Sequence, residues 1–220
     1  MTGRPPRPWG DEFFHVAEGV PYYVENSYVG IARAYRRRLA KRRKPYHYGI
    51  DLDCQVTRDG VVVATHWGTP LRHGFTDPTG ELAADTPIGS MTWAEVRRLR
   101  ARYHGRTYRI RTAVDLTGRA LKRGLGVELE LKSDAFAHRP RVVAEFVAGI
   151  QALPGYQRGR VWAKTLTDIP HKPGGRLKVF RDHGIPTLLL ARGDKPLPKA
   201  WRPGAGMVDD VRGRVAGWRS

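Results

Sequence analysis

The sequence holds a single cysteine, Cys54, in 220 residues. That excludes an intramolecular disulfide framework and a cysteine-rich zinc site, and it suits a reducing compartment. Long apolar runs are missing too. Stretches such as VVVAT and LLLA fall far short of the roughly 20 residues that a membrane-spanning helix needs. The opening MTGRPPRPWGDEFF carries basic residues but no apolar core or small-residue cleavage site. No secretory signal is therefore expected, and the expected location is cytoplasmic. Acidic residues are scarce, 21 against 39 Lys and Arg, which gives a net charge of +18 and a pI near 10.7.

What is present is globular in proportion: 40% hydrophobic and 27% charged residues, enough for one domain with a substantial core. The positive balance points to an anionic partner, whether nucleic acid, an acidic membrane or polymer, or a phosphorylated substrate. Arginine supplies thirty of the positive charges. A solvated Arg-rich surface and a polyanion site both accommodate that composition.

Residues 1–12, rich in Pro, Arg and Gly, are expected to form a flexible basic arm, with a single domain over 13–220. FFHV reads as a short strand. Asn26 or Ser27 then offers an N-cap for the helix VGIARAYRRRLAKRRK, whose apolar face is read from Val29, Ala32, Tyr35 and Leu39. In GIDLDCQVTRDGVVVATHW a strand alternates apolar and polar residues, turns at Asp59-Gly60 and resumes as VVVATH. A long loop from Gly68 to about Ser90 follows. Thr92 caps the helix WAEVRRLRARY, with Glu95 at the capping-box position.

Beyond it lie a helix near 112–123, the strand GVELELKS, a helix from about Pro140 to Leu153 and the strand RVWAKTL. The helix GGRLKVFRDHG, the strand PTLLLA and a last strand at 206–210 complete the pattern. Strands alternating with helices over the whole length predict a parallel α/β fold.

Side chains alternate between the faces of a strand, so Asp51 and Asp53 share one face and Glu128, Glu130 and Lys132 share another. On a half-exposed sheet those acids would simply meet water. In a sheet covered on both faces they need a counter-charge: an Arg, a Lys or a bound cation. Three convergent carboxylates suit a hard divalent ion such as Mg²⁺ or Ca²⁺. His15 and His66 each end a strand, placed either for proton transfer or as hydrogen-bonded core residues.

Taken in order, His15, Glu25-Asn26-Ser27, DLDCQVTRDGVVVATH, TWAEVRRL and VELELK resemble the glycerophosphodiester phosphodiesterase family. Its members carry His-Arg-Gly, Pro-Glu-Asn-Thr, Glu-x-Asp, Lys-Asp-Gly, His-Asp and Glu-x-Lys in the same succession. The likeness covers about residues 13–133. It implies an α/β fold of the small TIM-type (β/α)8 barrel kind, with some helices short or missing, and chemistry at the C-terminal strand ends.

Carried over, Asp51, Asp53 and Glu130 match the metal ligands, Lys132 a phosphate contact, and His15 and His66 the acid/base pair. The implied reaction is metal-dependent hydrolysis of glycerophosphodiesters to glycerol 3-phosphate and an alcohol. Four departures mark a divergent member. Val16 replaces the Arg after the first His, a loss that Arg72 is a candidate to make good. Asp51 replaces Glu, Trp67 replaces the Asp after the second His, and the His15-to-Glu25 spacing is one residue longer.

The alternative is a catalytically impaired barrel that binds an anionic polymer or nucleic acid through its basic surface. It rests on the segment from Arg33 to Lys44, with eight basic residues and no acid. A glycerol-phosphate polymer or an acidic membrane surface would suit both readings. No nucleic-acid-binding motif is evident.

Overall fold

The computed structural model describes residues 13–14, 24, 26–42, 48–157, 159–166 and 173–190. The arm expected at 1–12 and the strand expected at 206–210 lie outside the described residues. One seven-stranded mixed sheet organises the described residues.

Strand β1 (Phe13–Phe14) and β2 (Gly49–Val56) are parallel, with Phe13 opposite Gly49. Strands β7 (Gly126–Leu131), β8 (Val161–Leu166) and β9 (Thr187–Leu190) extend the sheet in parallel from the other edge of β2. Strand β3 (Val62–Ala64) runs antiparallel to β2, and β6 (Arg111–Thr112) antiparallel to β3. Among the described residues the sheet's seven strands thus include one antiparallel insertion, where the alternation of strands and helices alone predicts parallel pairing throughout. The Asp59-Gly60 turn causes it, because a turn this short cannot carry the chain back for a parallel crossover.

Asp59 does more than turn the chain. Its carboxylate accepts from the Thr57 hydroxyl at 2.6 Å and from the Trp93 backbone N–H at 2.9 Å. The hairpin is thereby tied to the first turn of helix α2 (Trp93–Val96), itself closed by the expected Thr92/Glu95 capping box. Gly60 has φ +88°, and a Cβ there would meet Val142 at 3.0 Å, so glycine is required. Replacing Asp59 by alanine leaves the Trp93 N–H without its acceptor. An equilibrium urea titration should read a loss of about 1–2 kcal/mol.

Helix α1 (Tyr28–Ala40) starts at Ser27, whose hydroxyl accepts from the Val29 and Gly30 N–H groups. Its buried residues are Gly30, Ile31, Ala34 and Arg38, one position off the face read from Val29, Ala32, Tyr35 and Leu39; Leu39 is half exposed. The small residues Gly30 and Ala34 let the helix lie close to its neighbours. Arg38 completes the buried face by laying its guanidinium over the Tyr35 ring, 5.2 Å from the centroid.

The long helix expected from Trp93 stops at Val96. Ala101–Tyr103 (β4) instead pairs antiparallel with Arg106–Tyr108 (β5) across His104-Gly105. Both turn residues have positive φ, 47° and 71°, the geometry of a two-residue hairpin turn. This hairpin and the preceding loop enclose a second core of Phe75, Ile88, Met91, Val96 and Leu99.

The main core lies on the other side of the sheet. There Ile50, Leu52 and Cys54 of β2 join Val127, Leu129 and Leu131 of β7. Against them pack α3 (Ala113–Leu121) through Leu116 and Ala120, and α5 (Pro140–Gln151) through Phe146, Val147 and Ile150; the short helix α4 (Ala135–His138) adds Phe136. Leu177 and Phe180 of α6 (Pro173–Asp182) complete the layer. Both faces of β2 and β7 are buried from end to end.

Candidate active site

With the apolar side chains committed to the helix layer, strand alternation forces the polar set onto the opposite face. The parallel register then aligns it in rows. Asp51 stands opposite Glu128 and Asp53 opposite Glu130 on the neighbouring strand; Glu130 in turn stands opposite Lys164 on β8.

Asp51, Asp53, Glu128 and Glu130 are only 7%, 4%, 3% and 5% exposed. The half-exposed sheet is thereby excluded, and each carboxylate needs a counter-charge. Two lysines supply part of it. Lys132 Nζ lies 2.6 Å from Glu130 Oε1 and 3.1 Å from Asp53 Oδ1. Lys164, just 3% exposed, donates to Asp51 and stands 3.4 Å from both Glu128 and Glu130.

Asp53 is the hub. Its Oδ2 faces His66 Nδ1 at 3.2 Å and accepts from Asn26 Nδ2 at 2.9 Å, while its backbone N–H donates to Asn26 Oδ1 at 3.1 Å. His66 follows the end of β3, so the hairpin delivers it beside the carboxylate on the adjacent strand. Trp67 then braces it: the indole meets the His66 ring edge-on at 4.5 Å and stacks on His73 at 4.1 Å.

The charge balance explains the titration of these groups. Burial alone would push the Asp53 carboxyl up, but His66, Lys132 and Asn26 outweigh it and hold the group well below the ordinary range. Glu130 is likewise lowered, because Lys164 and Lys132 overcome its burial. Asp51 and Glu128 are raised by burial, which the one ammonium of Lys164 does not offset for three carboxylates at once. Lys164 remains charged, because those three acids override its own burial. The cluster is short of positive charge.

That shortage is the test for a divalent cation. The donors are all hard oxygens, and four carboxylates against two ammonium groups leave two negative charges when every acid is ionised. Charge and donor chemistry therefore fit Mg²⁺ or Ca²⁺. As the side chains stand, with Lys164 among them, no three His, Cys, Asp or Glu of the described residues are grouped to hold an ion.

Of the residues singled out in the sequence, the structure brings together Asp51, Asp53, Glu130, Lys132 and His66. His15 and Val16 lie outside the described residues. Arg72 is exposed on the helical turn Pro70–His73 with its guanidinium 3.9 Å from Asp85, and no contact of its side chain among the described residues joins it to the cluster. Three further members, Asn26, Glu128 and Lys164, emerge from the structure. Glu128 was legible as a same-face partner of Glu130. Lys164 was signalled only as a lone cation in the strand VWAKTL.

No family model matches the chain, and no curated protein matches it. Solved structures do. A protein assigned as a glycerophosphoryl diester phosphodiesterase from Silicibacter pomeroyi is similar at 22% identity over 91% of this chain and 71% of its own, with a TM-score of 0.61. A glycerophosphoryl diester phosphodiesterase from Parabacteroides distasonis gives 17% identity, 86% and 57% coverage, and a TM-score of 0.54. An Oleispira antarctica phosphodiesterase, solved with its product sn-glycerol 3-phosphate, gives 17%, 78% and 62%, and 0.51. This chain thus spans somewhat over half the length of the latter two. Its fold is one found in glycerophosphoryl diester phosphodiesterases, at a divergence that leaves about one residue in five identical.

Proposed function

We propose that this chain is a phosphoric diester hydrolase that cleaves glycerophosphodiesters to glycerol 3-phosphate and an alcohol. The observation carrying the reading is the convergence of Asp53 on β2, Glu130 and Lys132 at the end of β7, and His66 just past the end of the antiparallel β3. The mixed sheet is read as part of a small (β/α)8 barrel, within one domain from residue 13 onward. The likeness to solved phosphodiesterases and the parallel order β1, β2, β7, β8, β9 support that reading.

The reaction needs an oxygen nucleophile at phosphorus, cleavage of the P–O bond to the alcohol, and a proton for the departing oxygen. His66, with Nδ1 held by Asp53, is oriented to exchange a proton at its other ring nitrogen. His15 is proposed as its acid/base counterpart. Lys132, partly exposed at the mouth of the cluster, is placed to contact a non-bridging phosphate oxygen. Asp51, Asp53 and Glu130 would hold Mg²⁺ or Ca²⁺. That ion would neutralise charge developing on the phosphoryl group.

The basic surface suits an acidic substrate polymer or membrane. Among the described residues no helix is long and apolar enough to cross a membrane. A cytoplasmic location, suggested by the single cysteine, belongs to the same proposal.

The test is release of glycerol 3-phosphate from glycerophosphocholine by the full chain, with Mg²⁺ or Ca²⁺ and then with EDTA. Hydrolysis should vanish on chelation, and His66→Ala should lower kcat by about 10²–10⁴-fold. Turnover indifferent to both changes would refute these roles. The absence of turnover, together with salt-sensitive binding to a polyanion, would favour the binding protein instead; Arg36, Arg37, Lys41 and Arg42, exposed at the end of α1, are the residues that such binding would use.

A further inference from the structure

Lys164 occupies an unusual place for a lysine. Its ammonium lies at the centre of three buried carboxylates, bonded to Asp51 and 3.4 Å from Glu128 and Glu130. The register explains how it gets there: β8 sets Lys164 beside Glu130 in the upper row, and the long side chain reaches down to Asp51 in the lower. Two of the three proposed cation ligands, Asp51 and Glu130, therefore already share a positive charge fixed in the chain.

We propose that Lys164 is a built-in cation that competes with the divalent ion for Asp51 and Glu130, so that the chain holds that ion weakly. The proposal rests on the reading of Asp51, Asp53 and Glu130 as ligands. An ion reaching those carboxylates comes within a few ångströms of the ammonium, where repulsion in a poorly solvated interior is strong. Lys164 must withdraw from Asp51 or Glu130 for the ion to be bound by both. In its absence Lys164 keeps the buried acids from facing one another uncompensated. Such a chain folds without metal and takes one up when it is abundant.

The test is calorimetric titration of the full chain with Ca²⁺ and with Mg²⁺, without substrate. Lys164→Met keeps the length of the side chain and deletes its charge; it should tighten the ion by about tenfold or more. Lys164→Arg should leave affinity low. Because Lys164→Met alone leaves four buried acids with one lysine, Lys164→Met/Glu128→Gln removes one charge of each sign and should also bind more tightly than the native chain. Should Lys164→Met unfold, the proposal requires millimolar Ca²⁺ to restore its near-ultraviolet circular dichroism.

Affinity unchanged or weakened in both Met-containing variants overturns the proposal. So does the absence of ion binding in every variant, or an unfolded Lys164→Met that Ca²⁺ leaves unfolded. Ion affinity is read with no diester present. A native chain that hydrolyses glycerophosphocholine without this tightening would sink the role of Lys164 alone, whereas tightening without hydrolysis would sink the enzymatic reading alone.

Discussion

Asp53→Ala should abolish measurable hydrolysis, lowering kcat/KM for glycerophosphocholine by about 10³-fold. Its side chain ties together three separate parts of the cluster. One carboxylate oxygen faces Lys132, the other faces His66 and Asn26. Truncation removes a proposed cation ligand, the partner that orients the imidazole and one of two anions holding Lys132 in place. Asp53→Asn separates these contributions. It keeps a polar group of the same size beside Asn26 and loses the charge, so it should retain the fold and still lose most of the activity. Steady-state kinetics on both variants, with circular dichroism to confirm folding, would check this. Activity within tenfold of the native chain in Asp53→Ala would remove Asp53 from the chemistry.

The second large effect is on stability and should leave the chemistry alone. Leu129 lies midway along β7, wholly buried between β2 and β8, with its side chain in the helix-facing core. Deleting its branched end opens a cavity in a region walled by strands and helices that have little room to collapse. Leu129→Ala should cost about 3–4 kcal/mol. Because the strand alternates, the same substitution points away from Glu128 and Glu130, and the folded fraction should keep near-native turnover. Urea titration and active-fraction-corrected kinetics would test both halves. A loss under about 1 kcal/mol would mean that the core does not close around this position.

Leu129 and its neighbours show why so much of the site was readable in one dimension. In VELELK and DLDC the alternation is strict, so the sequence sorts acids from aliphatics without knowledge of strand order. Asp59-Gly60 fixes the following hairpin, and with it the approach of His66 to Asp53. What alternation does not reveal is the neighbour across the sheet. Lys164 sits in RVWAKTL, where Trp162 and Ala163 blur the period, and its meaning comes only from pairing with Glu130. Asn26 was hidden by ambiguity: either it or Ser27 suits an N-cap, and Ser27 takes the cap while Asn26 turns to Asp53.

The helix misread over 97–103 has a similar origin. RRLRARY satisfies a helical pattern locally, but the His104-Gly105 turn and the β-prone RTY beyond it pull the chain into a hairpin. Tertiary context decides there, since Ala101 and Tyr108 both bury into the second core. The shift of the buried face on α1 is a matter of size. Bulky Tyr35 and Leu39 suggest one face, whereas close packing selects the smaller Gly30 and Ala34.

The most direct test of the account is a crystal structure of the full chain grown with Ca²⁺ and sn-glycerol 3-phosphate. The phosphate should lie beside Lys132 and His66, with the ion held by Asp51, Asp53 and Glu130. Phosphate bound at a distance from those side chains, or an ion ligated elsewhere while they remain as they stand, would contradict these roles.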